Sequence, residues 1–374
     1  MTRMPRPYPH PTPHPAIVPP YLLARIALAA GPRFDEAADA ARRSLLRDAP
    51  LLEWRATGEL PSFVAPELHA RDERPAARPG TAPQPDRRIS DAEGDDTLPG
   101  RLVRREGQPP TGDAAVDEAY DGLGETFELF ARVFARDSID DAGMPLEATV
   151  HFGDRYDNAF WDGERMVFGD GDGEIFRGFT DSISVIGHEL THGVIERTAR
   201  LRYQRQSGAL NEHVADVFGA LVEQYSMSQD VDSATWLIGE GVFTDAVEGR
   251  AIRSMKEPGT AYDDDILGRD PQPDHFDRYI ETDDDNGGVH LNSGIPNRAF
   301  ALASLEIGGF AWEHAGRVWY DVLTSGRLRP TANFREFASE TVRVSVERFG
   351  RASTEARAIM GGWSAVGIEV PPTA

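Results

Sequence analysis

The stretch Gly187-His188-Glu189-Leu190-Thr191-His192 constrains this chain more than any other. Around it, apolar residues fall at Ile183, Ile186, Leu190 and Val194, the spacing of one helix face. Thr180, Asp181 and Ser182 just upstream are N-cap types, so the spacing predicts a helix over 183–198. Residues four apart on a helix lie one above the other, so His188 and His192 can offer nitrogens to one ion. Zinc suits two imidazoles and leaves room for a third ligand and a water. Glu189 beside them can take a proton from that water. Six residues do not by themselves define a reaction; a third ligand and groups that hold a substrate must be found elsewhere.

Composition narrows the choice. With 374 residues the chain has length for two or three domains, and 40% hydrophobic content supplies their cores. A net charge of −23 argues against nucleic-acid binding, which needs an excess of lysine and arginine. There is no cysteine, which excludes disulfides and thiolate zinc sites and leaves histidine and carboxylate as ligands. No apolar run approaches the roughly 20 residues that span a bilayer, so no membrane partner is expected. The stretch Tyr21 to Ala30 is broken by Arg25 and has no signal-like cationic start beside it, so no standard secretory signal peptide is expected.

The chain divides into four parts. Residues 1–60 form a small N-terminal module: prolines keep 1–20 extended or disordered, and two short helices follow over about 22–30 and 34–47. Leu45, Leu46, Leu51, Leu52 and Trp54 give this module something to bury. Residues 61–88, rich in Pro, Ala, Arg and Asp without periodicity, read as an exposed linker open to nicking. Residues 89–198 form a strand-rich lobe, with strands near 102–106, 146–152 and 165–168 and a helix over 116–135. The run Gly169 to Gly173 reads as a tight turn, since its spacing does not fit the twelve-residue calcium loop. Residues 199–374 are mostly helical, with helical spacing over 210–222, 298–306, 312–323, 334–349 and 353–366. The class is α+β.

Glu212 follows His192 after nineteen intervening residues. It lies in the next helix, which can fold back antiparallel and bring its carboxylate to the metal, completing a two-histidine, one-glutamate set. Asp216, one turn further on, can accept the remaining N–H of a ligand histidine. His213 points about a hundred degrees off that face and is not expected to ligate.

Five blocks resemble the thermolysin-like neutral metallopeptidases, in that family's order and at close to its spacing. They are His188 to Glu196 (HELTHGVIE), Gly208 to Gly219 (GALNEHVADVFG), Tyr156 to Trp161 (YDNAFW), Arg253-Ser254-Met255 and Asp285 to Asn292 (DNGGVHLN). The resemblance covers roughly residue 90 to the C-terminus. Pro19-Pro20-Tyr21-Leu22-Leu23 and the short module look like the protealysin-type branch, whose precursors carry a small propeptide. This implies a two-lobed peptidase, strand-rich then helical, joined by a central zinc-binding helix. It implies one catalytic zinc on His188, His192 and Glu212, with Asp216 behind them and Glu189 as general base. Tyr203 and His290 look like the donors to the developing oxyanion, with Asp285 orienting the imidazole. Asn158 and the backbone of Ala159 look like a clamp on the substrate main chain, and Arg253 like the partner of a substrate carbonyl.

By position, Phe176, Phe179, Val185, Ile238 and Ile252 resemble the pocket for the side chain just after the cut bond. All are apolar, so Leu, Phe, Ile or Val is expected there. In the family's calcium cluster Glu223 and Glu240 match, but Ser184, Thr235 and Leu237 stand where acids are expected, so a double calcium site is expected to be degraded. The expected partners are peptide or protein substrates and the chain's own N-terminal module as inhibitor, which makes the chain a zymogen. The resemblance implies secretion, with the cytoplasm as the alternative. A zinc aminopeptidase would need a differently spaced third ligand and a G-x-M-E-N-type segment, both missing here; the remaining rival is a catalytically silent zinc-binding or scaffold protein.

Overall fold

The computed structural model describes residues 16–29, 34–57 and 83–370. The expectations placed on residues 1–15 and 58–82, and on burial of Leu51, Leu52 and Trp54, lie outside what is described.

Helix α1 (Pro20–Ala27) opens with proline in its first turn, where no N–H is needed, and ends short of the expected Ala30. It buries Leu22, Leu23 and Ile26 in the main core of the molecule. Helix α2 (Asp35–Thr57) runs past Arg47, the expected end. Its buried face is made of Ala37, Ala38, Ala40, Ala41 and Ser44, while Leu46, expected to be buried, is 74% exposed. Small residues let α2 lie close to the body, and Leu46 falls on the opposite face. Before α1, Ala16, Ile17 and Val18 are buried, with Ala16 in a single bridge and the next two residues in a bend.

Strands β1 (Arg87–Asp91), β2 (Arg101–Arg105), β3 (Leu146–Val150), β4 (Ala159–Trp161) and β5 (Arg165–Phe168) form one sheet in the order β2-β1-β3-β5-β4. The inner pairs are parallel and the outer pairs antiparallel. Strand β1 starts at Arg87, inside the stretch read as linker. Both arginines there are anchored: Arg87 to Glu106 at 2.7 Å and Arg88 to Glu147 at 3.3 Å. On β2 the buried side chain is Arg104, which pairs with Asp117 at 2.9 Å and lies 3.6 Å over the Tyr120 ring. A stacked and paired guanidinium tolerates burial, so Leu102 is the one left facing solvent.

Helix α3 (Ala114–Glu128), capped by Asp113, packs on this sheet and continues through a π turn at Leu129–Val133, short of the expected Ala135. The central helix α4 (Ile183–Arg197) follows, and α5 (Arg205–Ser226) packs against it. The close approach depends on glycine. A Cβ at Gly219 would sit 2.5 Å from the Ser184 carbonyl oxygen, and one at Gly187 would meet Val222 at 3.0 Å. After α5 come the paired strands β6 (Leu237–Ile238) and β7 (Arg253–Ser254). The helical lobe is completed by α6 (Asp285–Asn292), α7 (Gly294–Ile307), α8 (Ala315–Thr324), α9 (Phe334–Phe349) and α10 (Thr354–Ala365). Trp312, expected inside α8, belongs to a separate short turn; the backbone breaks helical geometry at His314. No helix among the described residues is long and apolar enough to cross a membrane.

Candidate active site

Helices α4 and α5 bring three buried donors together: ligand atoms of His188, His192 and Glu212 all lie within 4.8 Å of one another. Each histidine has its Nδ1 engaged, His188 with Asp216 and His192 with the Asn211 side-chain oxygen, both at 2.8 Å. Protons on those nitrogens leave lone pairs on both Nε2 atoms, which face each other at 3.0 Å. They lie 3.6 and 3.7 Å from the Glu212 carboxylate. Facing lone pairs repel unless a cation sits between them. Glu212 Oε2 is buried and accepts no hydrogen bond among the described residues. Burial, and then the neighbouring His188, hold the His192 pKa well below its ordinary value, which keeps the ring in the neutral form that ligates. Two nitrogens and one carboxylate without thiolate fit zinc with an open position.

Asp216 ties this cluster to the rest of the site. Besides His188 it accepts from Arg253 (Nη2 at 2.8 Å) and from Asn297 Nδ2 at 2.8 Å. Burial alone would raise its pKa, but Arg253 and His188 outweigh burial and hold the carboxyl well below the usual range. His213 faces elsewhere, with Nδ1 on Asn297 Oδ1 at 2.8 Å and Nε2 accepting from Trp319 at 2.7 Å. Its pKa is lowered to about 4 by burial.

Glu189 Oε2 accepts the Trp161 backbone N–H at 3.0 Å, so β4 and α4 together aim this carboxylate. The Tyr203 hydroxyl donates to Glu212 and lies 3.2 Å from His290 Nε2. His290 is held by Asp285, whose carboxylate takes the ring at 2.6 Å and the His290 backbone N–H at 2.8 Å. The four residues Asp285 to Gly288 all have positive φ, from 51° to 85°. That run folds the chain back so the acid meets the ring, and its two glycines carry the conformation without strain. Burial opposes charge on His290, but Glu212 and Asp285 outweigh it and raise the pKa.

The segment Ala16–Val18 lies along this cleft. Ala16 bridges antiparallel to Phe160 on the edge strand β4, and Ile17 N–H donates to the Ala159 carbonyl at 3.0 Å. Val18 N–H donates to Asn158 Oδ1 at 2.9 Å, and Asn158 Nδ2 donates to the Val18 carbonyl at 3.3 Å. Arg253 donates to the Ile17 carbonyl at 3.0 Å, and His290 Nε2 to the Ala16 carbonyl at 3.1 Å. Helix α2 adds Asp48, which accepts from Asn158 at 2.9 Å and from the Tyr156 hydroxyl at 2.6 Å.

Phe176, Phe179, Val185, Ile238 and Ile252 are all buried in the main core of the molecule. The two phenylalanine rings stand 5.6 Å apart, and Ile252 N–H donates to Ile238 across the β6–β7 pair. Nearby, Thr235 donates to Glu223 at 3.4 Å and Ser184 takes the Gly239 N–H at 3.1 Å. Hydroxyls thus occupy positions where carboxylates were expected. Burial first, with Glu240 adding to it, pushes Glu223 up to about 7.

Sequence reasoning missed Asn211, Asn297, the Trp161 amide, Asp48 and the Ala16–Val18 segment. Asn211 adjoins Glu212 in a block already singled out, so its position was a usable signal. Asn297 and Asp48 stand in no motif, and only packing brings them in.

The family model described as "Thermolysin metallopeptidase, catalytic domain" matches residues 88–196, and "Thermolysin metallopeptidase, alpha-helical domain" matches 199–368. The chain is 48% identical over 355 residues to an extracellular metalloprotease of Pectobacterium carotovorum subsp. carotovorum, covering 95% of this chain and 96% of that protein. It is 51% identical over 286 residues to Protease PrtS of Photorhabdus sp. (strain Az29), covering 76% of each. The solved precursor of protealysin, a metalloproteinase from Serratia proteamaculans, superposes with a TM-score of 0.83 at 46% identity, covering 95% of this chain and 99% of that one. The fold, the zinc-fitting donor set and these matches agree: the chain belongs to the thermolysin family of zinc metalloendopeptidases.

Proposed function

We propose that His188, His192 and Glu212 hold the zinc, and that this endopeptidase cuts before bulky apolar residues once its N-terminal module is displaced. When bound there, zinc acidifies a water and polarises the scissile carbonyl. Glu189, aimed by the Trp161 amide, takes a proton from the attacking water and passes it to the departing amine. His290 and Tyr203 donate to the carbonyl oxygen as it gains charge, and Asp285 keeps the His290 ring oriented. Asn158, the Ala159 carbonyl and Arg253 hold the main chain on the amine side of the bond. Asp216 binds Arg253 and His188 together, so substrate grip and ligand orientation share one carboxylate.

The observation that carries this reading is the grip on Ala16–Val18. Both backbone polar groups of Ile17 and of Val18 are hydrogen-bonded by the residues assigned to substrate. A segment so placed excludes other peptides, which supports the module as an intramolecular inhibitor and the chain as a zymogen. The domain division follows: a module to about residue 60, a linker, a strand-rich lobe and a helical lobe from about residue 199. The relatives' name of extracellular protease supports export as the location.

The five residues assigned to that pocket, Phe176, Phe179, Val185, Ile238 and Ile252, are all apolar and buried. A fully buried Leu or Phe side chain gains about 1.5–3 kcal/mol there. The test uses zinc-loaded enzyme whose linker has been cut and whose module has been removed, as wild type and as Glu189→Gln, against a peptide panel. Both proteins should bind one zinc. Wild type should cut before Leu, Phe, Ile or Val, and the variant should be slower by roughly 10²–10⁴-fold. An equally active variant, or a profile favouring Arg or Asp after the cut, overturns the proposal.

A further inference from the structure

The Ala16–Val18 segment does more than fill the cleft; its polarity and register single out one bond. Among the described residues the carbonyl that reaches His290 Nε2 is that of Ala16, and this nitrogen lies 3.2 Å from the Tyr203 hydroxyl and 3.4 Å from Glu212. The next carbonyl, that of Ile17, is turned to Arg253, and the one after it to Asn158. The carbonyl beside both the oxyanion donors and the metal ligands is therefore Ala16's, and the nitrogen that would leave belongs to Ile17. The Ile17 side chain is fully buried.

The sequence pins this register. From Pro5 to Pro15 every second residue is proline, so no two consecutive backbone N–H groups exist there. Ala16-Ile17-Val18, lying between Pro15 and Pro19, is the first place after that proline run where the chain offers consecutive donors to an edge strand. Ile17 and Val18 use them, on Ala159 and Asn158. A shift by one residue in either direction would put a proline or a reversed face against β4.

We infer that the Ala16–Ile17 peptide bond is a cleavage site of the chain's own active centre, cut within the same molecule when zinc binds. This rests on the catalytic roles proposed above. One water is consumed. Its oxygen joins the Ala16 carbonyl carbon, the bond from that carbon to Ile17 nitrogen breaks, and both water protons end on that nitrogen. The products are a carboxylate on residue 16 and an ammonium on Ile17. Helix α1 keeps Leu22, Leu23 and Ile26 buried in the core, so the new N-terminus at Ile17 stays in the cleft and the trimmed module still blocks it until the linker is cut.

The test uses the full chain prepared without metal, as wild type, Glu189→Gln and Ile17→Pro. Before zinc, hydrogen exchange should show the Ile17 and Val18 amides protected in wild type; free exchange there means the register is wrong and overturns the inference. After zinc, intact mass should show wild type losing residues 1–16, at a rate unchanged by dilution. Glu189→Gln should be slower by at least roughly 10²-fold, and Ile17→Pro should keep its Ala16 bond. In parallel, wild type with its linker cut and module removed is assayed on peptides. If that enzyme cuts peptides while Ala16–Ile17 stays intact, this inference fails and the proposed function stands. If neither substrate is cut, both fail.

Discussion

At the residue scale the site is a set of groups whose neighbours decide their charge. His151 shows the same physics outside the cleft. It bonds Asp170 at 2.9 Å and Asp113, the cap of α3, at 3.2 Å. The hydrogen bond to Asp170 is the main cause that lifts its pKa from 6.5 to about 9; partial burial opposes it and the charge of Asp113 adds to it. A histidine whose folded pKa is raised contributes stability in full below the unfolded value, and that contribution is lost as pH rises through the folded one. We expect His151→Gln to lower the melting temperature at pH 6 and to converge on wild type above about pH 9. A difference that persists unchanged above that pH would point to packing instead. The grouping of His188, His192 and Glu212, whose ligand atoms the fold brings within 4.8 Å of one another, was legible from residue types and spacing. Asn297, which stands in no motif, was not, because an amide orients a neighbouring group only once the fold brings the two together.

At the element scale the decisive feature is how closely α4 and α5 approach. Glu212 reaches the two histidines because Gly187 and Gly219 remove side chains from the crossing. With Ser184's carbonyl 2.5 Å from a Cβ placed at Gly219, one helix must shift to admit alanine. Gly219→Ala should cost about 1–3 kcal/mol, read as a drop in melting temperature. Because the shift moves Glu212 relative to His188, zinc affinity in a chelator competition should fall as well; an unchanged affinity would show that the crossing does not set the ligand geometry. The helices themselves followed from apolar periodicity, since burial of one face is a local pattern. Their ends did not. The π turn after α3 and the break at His314 answer to neighbouring elements, as does the buried face of β2, where Tyr120 and Asp117 accept Arg104.

At the scale of the whole molecule the N-terminal module joins both lobes. Asp48 reaches Tyr156 and Asn158, Arg253 of the helical lobe holds Ile17, and the Ala37 amide donates to Glu174 at 3.1 Å. Stability of the full chain therefore rests on this docking as well as on the cores. Calcium should add little to it. With Ser184 and Thr235 around Glu223 and no carboxylate supplied by them, the site resembles at most a millimolar one. Saturating such a site halfway contributes only about 0.4 kcal/mol. Melting curves with zinc held constant should coincide within error at zero and 1 mM added calcium (about the dissociation constant of such a site); a rise of several degrees would mean other oxygens complete the cluster.

By itself the sequence determined the central helix, the two histidines and the glutamate on it, the α+β class and the choice of a nitrogen–oxygen metal site. These follow from short-range periodicity and from residue chemistry that holds in any fold. Only the tertiary structure decided what lies in the cleft. Ala16, Ile17 and Val18 looked like the tail of a proline-rich arm, because nothing local distinguishes a strand waiting for an edge from a disordered one. Their partners Ala159, Asn158, Arg253 and His290 stand 140 or more residues away. Backbone hydrogen bonds over that separation depend on the assembled cleft, so no window of sequence could have revealed them.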